Sequence, residues 1–173
     1  MSHPFHKMIG DLIKELETEN TTVLLDPACG GPHEIPLYCD ENKSRETKYC
    51  NVDILILKDD KIKVILEIEE SNIKPLHLFG KFLASAMADH YIYDGESMSK
   101  DDGVLFVQIL DTSSLDEKSS KIGQFGNVEE SIDGMVPLGG ISEYVLFHGS
   151  MDGFVSGVEC EELDGYIDKI LNK

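Results

Sequence analysis

The chain has 173 residues, of which 41% are hydrophobic, enough for one domain with a sizeable core over residues 1–173. No apolar run approaches the roughly 20 residues that span a bilayer, and the opening MSHPFHKMIG lacks the charged-then-apolar layout of a secretory signal. A cytoplasmic protein that does not enter a membrane is the default expectation, and the formal net charge of −18 opposes a simple basic footprint for nucleic acid.

In chain order, His3 to Glu19 reads as an amphipathic helix, with Phe5, Met8, Ile9, Leu12, Ile13 and Leu16 on one stripe. Thr21 to Leu25 is a short strand, broken by DPACGGP, and Ile35 to Cys39 is another. A polar loop follows over Asp40 to Lys48. Val52 to Leu57 and Ile62 to Glu69, joined by KDDK, read as a β-hairpin. Pro75 then starts a helix that runs to about Tyr91, with Leu76, Phe79, Leu83, Met87 and Tyr91 as its main apolar face. Gly80, Ala84 and Ala88 form a row of small residues along its back. Gly103 to Leu110 is a buried-type strand, and Asp111 to Gly140 is polar with at most a short helix around Leu115 to Ile122. Tyr144 to Phe147 is a strand and Glu161 to Leu171 a closing helix. This order predicts an α/β fold: a central mixed sheet flanked by helices.

The hairpin carries the chemistry. Both of its strands are apolar on alternate and intervening positions, so both are expected to be covered on two faces. Asp53 begins the first strand, while Glu67 and Glu69 end the second. Residues two apart on a strand share a face, and counting outward from the turn sets Asp53 and Glu67 five or six residues from Lys58 and Lys61, roughly opposite each other and about 5 Å apart at the backbone. Unpaired buried carboxylates cost several kcal/mol each, on the order of what a fold can spare. A divalent cation is the partner that suits three of them, and Mg2+ (or Mn2+) prefers such oxygen donors. The acid excess also lies elsewhere: residues 82–173 hold 5 Lys/Arg against 18 Asp/Glu, whereas residues 43–81 hold 8 against 7. The four cysteines, Cys29, Cys39, Cys50 and Cys160, are expected to be reduced thiols, since no export signal is read and the chain is not small, and the spacing of Cys29, His33, Cys39 and Cys50 matches no compact zinc knuckle.

Asp53, then Glu67-Ile68-Glu69, then a helix starting within six residues of the last acid resembles the PD-(D/E)XK nuclease superfamily, the restriction-endonuclease-like fold. The likeness spans about residues 5–110. It departs from the usual pattern in two places: Glu69 stands where a Lys is usual, and Val52, not Pro, precedes the first acid. The resemblance implies an α-β-β-β-α-β core in which Asp53, Glu67 and the Ile68 carbonyl hold Mg2+ or Mn2+. It implies that Glu69 positions or deprotonates the attacking water, and that an acid of the first helix, Glu15 or Glu19, joins the metal site.

Candidate phosphate contacts are Lys74, His77 and Lys81, at i, i+3 and i+7 on the helix after the motif, and Arg45, the chain's one arginine. The expected function is a metal-dependent endonuclease acting on DNA, as a homodimer because cutting two strands takes two sites. The alternative is a non-catalytic protein of the same fold whose acidic surface docks a protein partner.

Overall fold

The computed structural model describes residues 3–116 and 118–173. Helix α1 (Pro4–Lys14) is followed by strands β1 (Thr21–Leu25), β2 (Ile35–Tyr38), β3 (Lys48–Val52), β4 (Ile54–Lys58) and β5 (Lys61–Glu69). Then come α2 (Pro75–Met87), β6 (His90–Tyr93), β7 (Glu96–Asp111), α3 (Ser120–Asp133), β8 (Ile141–Gly149), α4 (Met151–Ser156) and α5 (Val158–Leu171). No described helix is long and apolar enough to cross a membrane.

The main sheet runs β1-β4-β5-β7-β8. β1, β4 and β5 are antiparallel, while β5, β7 and β8 are parallel, so the sheet is mixed as expected. β7 is long because it serves two ladders. Its first half pairs with β6, which carries β2 and β3 onward, and its second half lies between β5 and β8. One face of the sheet packs on α2 and α3 through Leu78, Phe82, Phe125, Val128 and Ile132. The other packs on α1, α4 and α5 through Phe5, Ile9, Ile13, Phe154, Leu163 and Ile167. Buried on both faces, β4, β5 and the second half of β7 are nearly unbroken apolar runs.

The β4–β5 turn has positive φ at Asp59 and Asp60, the pattern of a two-residue turn whose twist matches its strands. Pairing of Ile54 with Leu66 then fixes which residues meet at the open end. The free edge of β1 is blunted by charge: Glu17 accepts from the Val23 N–H at 3.2 Å and Lys14 donates to the Val23 carbonyl at 3.0 Å.

Several elements differ from the sequence expectation. α1 stops at Lys14, and α2 stops at Met87, three residues before β6 begins. The β6–β7 hairpin, turning on Asp94-Gly95 with positive φ at both, lies across the expected helix end and the stretch before the strand expected at Gly103. α3 is a full helix within the segment read as polar, since only Phe125, Val128 and Ile132 along it are buried. The facing of α2 is also corrected. It buries Leu78, Phe82, Ser85 and Ala86, with the Phe82 ring 5.6 Å from Phe106 and 5.8 Å from Tyr144. Leu76 is left 78% exposed, and Leu83 and Met87 also face out. The helix carries two apolar stripes, and the one holding the aromatic anchor wins the core.

Candidate active site

At the C-terminal end of β5 the neighbouring strand β4 has already begun, so the Ile68 N–H has no strand partner on that side. Asp53, the residue just before β4, supplies one: its Oδ2 accepts the Ile68 N–H at 2.7 Å. The Asp53 carbonyl accepts from the Asp26 N–H at 2.9 Å, which ties the end of β1 to the same point. A residue's N–H and C=O leave a strand on the same side, so the Ile68 carbonyl faces this gap too.

Glu67 and Glu69 project from β5 toward α2, where Lys81 meets them. The Lys81 Nζ lies 2.9 Å from Glu67 Oε2, 2.9 Å from Glu69 Oε1 and 3.7 Å from Asp53 Oδ2. Glu67 is only 1% exposed, and its second oxygen, Oε1, is buried without a hydrogen-bond partner. Burial pushes the Glu67 carboxyl well above its ordinary range; Asp53 adds to that push and Lys81 opposes it. For Lys81, burial works against its charge, but Glu67, Asp53 and Glu69 outweigh it and hold the ammonium above its ordinary range.

Three of the four predicted metal-site residues, Asp53, Glu67 and Ile68, converge as expected, and so does Glu69. Glu15 does not. It caps the C-terminal end of α1, facing Cys160 and Asp164 of α5, about 13 Å along the helix from the end that approaches the cluster. The approaching end carries His6 instead, whose Nε2 lies 3.8 Å from Asp53 Oδ2. Its Nδ1 is 2.9 Å from Glu70 Oε1, the same oxygen that accepts the His6 backbone N–H at 2.8 Å. α1 can lie this close because Gly10 has no side chain: a Cβ there would overlap the Cys29 carbonyl oxygen.

Of the predicted phosphate contacts, Lys81 turns inward to the acids. Lys74 and His77 are exposed on the outer turns of the same helix. Arg45 is not brought to the cluster; it is exposed in the β2–β3 loop, with about 17 Å of β3 between it and Asp53. All four cysteines are free.

Sequence reasoning missed the inward role of Lys81 and the approach of His6 and Glu70. The signal for Lys81 was present: a lysine two helical turns into α2, seven residues after its N-cap Lys74, behind a strand ending in acids. No family model matches the chain, and no curated protein or solved structure matches it.

Proposed function

We propose that the protein is a Mg2+-dependent phosphodiesterase of the endonuclease type that hydrolyses DNA, its centre being Asp53, Glu67 and Glu69. One observation carries the reading. Three carboxylates are gathered at a strand end against a single ammonium, and the most buried of them keeps an oxygen with no partner. An unmatched buried oxygen in an all-oxygen donor set fits a hard cation such as Mg2+. The order α1-β1-β4-β5-α2-β7 supports the same reading, since it reproduces the α-β-β-β-α-β core of the nucleases that the motif resembles.

Asp53, Glu67 and the Ile68 carbonyl are the residues that would hold the ion. When bound, Mg2+ supplies polarisation of the phosphodiester and a lowered pKa for water. Glu69, at the rim beside Lys81, takes the proton of the attacking water. Lys81 holds the acids together and presents positive charge where the phosphate oxygens gather charge during attack. Lys74 and His77 extend the approach for the phosphate backbone outward along α2. Two copies of the chain acting together would cut both strands.

A second reading is favoured by the same lysine. Lys81 already pairs with all three acids, and with a net charge of −18 the chain suits a non-catalytic protein that docks a basic partner. Cleavage of supercoiled plasmid with Mg2+ or Mn2+ separates the two. The nuclease reading predicts nicking by the wild type that falls at least about 100-fold in Glu67→Gln and in Glu69→Gln. Absence of cleavage by the wild type in both metals supports the docking reading.

A further inference from the structure

We propose that His3, His6 and Glu70 form a second cation site, beside the acid cluster and distinct from it, that takes a divalent transition-metal ion of the Zn2+ class. One ligand atom from each of the three residues lies within 4.8 Å of the other two. Glu70 presents its two oxygens to different imidazoles: Oε1 is 2.9 Å from His6 Nδ1 and Oε2 is 3.4 Å from His3 Nδ1. Ligands at 2.0–2.1 Å around one tetrahedral Zn2+ are about 3.3 Å apart, so small side-chain shifts close the set on an ion.

The second observation is the state of His6. It is only 8% exposed, and its Nδ1 is buried with no aligned hydrogen bond despite the nearby carboxylate. At 2.9 Å from Glu70 Oε1 the ring nitrogen is close to the carboxylate but out of line with it, a contact that an ion held between the two groups would replace. The opposite nitrogen, Nε2, faces Asp53 at 3.8 Å. A carboxylate behind the far nitrogen is the usual support of a metal-bound imidazole, because it fixes the ring and its tautomer. Glu70 is fixed as well, by the His6 backbone N–H at 2.8 Å. His3 is half exposed and gives an ion a way in.

Two imidazoles and one carboxylate discriminate against Mg2+ and Ca2+, which prefer oxygen ligands, and favour Zn2+, Co2+ or Ni2+. Three protein ligands also leave a position open to water or a phosphate oxygen. This inference does not depend on phosphodiester hydrolysis at the acid cluster; it concerns a separate ion.

The test is a Co2+ titration of the full chain without a polyhistidine tag, followed by visible ligand-field absorption and competed with Zn2+ and with Mg2+. With excess Mg2+ present to occupy the acid cluster, the site predicts one Co2+ per chain that Zn2+ displaces and Mg2+ does not, with affinity reduced at least tenfold in His3→Ala and in Glu70→Gln and unchanged in Glu69→Gln. His3 makes no side-chain capping bond to α1, so its variant is expected to melt like the wild type. Absence of Co2+ absorption in the wild type, or absorption that survives both variants, overturns the proposal. So does a signal abolished by Glu69→Gln and untouched by His3→Ala, which places the ion among the acids. Plasmid cleavage is read separately, so failure of one proposal leaves the other standing.

Discussion

Glu67 on β5 and Gln108 on β7 are paired neighbours in the sheet, both buried, both on the face covered by α2. Gln108 is complete. Its Nε2 donates to the Leu78 carbonyl at 3.2 Å, and its Oε1 accepts from the Tyr144 hydroxyl at 2.7 Å. Glu67 is a titratable carboxyl where Gln108 is a neutral carboxamide, and its Oε1 is buried without a hydrogen-bond partner of the kind that completes Gln108. Two polar residues at the same level of one sheet therefore serve different ends. Gln108 ties a helix and a strand together through satisfied hydrogen bonds. Glu67 keeps an unpaired oxygen next to Asp53 and Glu69, the demand that the proposed ion would meet.

Removing the ammonium breaks the comparison hardest. Lys81→Met leaves three neighbouring carboxylates without their cation, and unfolding in denaturant is expected to show a loss of about 3–5 kcal/mol. Next in size is Gln108→Leu, which leaves the Tyr144 hydroxyl without its acceptor and costs about 1–3 kcal/mol by the same measurement. Plasmid cleavage by that variant is expected to match the wild type, because Gln108 serves the frame and not the site.

Glu67→Gln gives the smallest change in stability and the most informative pH dependence. The folded-state pKa of Glu67 is raised, so between its ordinary value of 4.5 and that raised value the folded protein holds a proton that the unfolded chain has lost. Wild-type stability attributable to Glu67 is therefore present in acid and declines as pH rises through this window. Glu67→Gln lacks the ionisation, so its stability relative to wild type is expected to grow with pH. Parallel stability curves for the two proteins would mean that Glu67 carries no unmet demand.

Much of this site was legible because a β-hairpin leaves little freedom. Once KDDK is read as the turn, Asp53 and Glu67 fall five and six residues out from it and so near each other; a register shift between Ile56 and Leu57 brings them level, and the period of two puts Glu69 on the face of Glu67. The apolar runs on either side announce that these acids end buried strands. What escaped was everything that depends on how a helix is rotated. α2 has two apolar stripes, and only packing of Phe82 against Phe106 and Tyr144 selects one, turning Lys81 inward and Leu76 outward. Likewise α1 was read with its C-terminal acid near the metal, yet the close approach at Gly10 and the early stop at Lys14 bring its opposite end, with His3 and His6, to the cluster. The β6–β7 hairpin had its signal in Asp94-Gly95, masked by the helical pattern running into it.

On the proposed reading Glu67 is held ready for a cation and Gln108 is not. A Mg2+ titration followed by the side-chain 13C resonances of both residues tests it most directly. Ion binding there is expected to give a saturable shift of the Glu67 carboxyl, lost in Asp53→Asn, with the Gln108 carboxamide nearly still. A Glu67 resonance that stays put through millimolar Mg2+ in the folded wild type would contradict it.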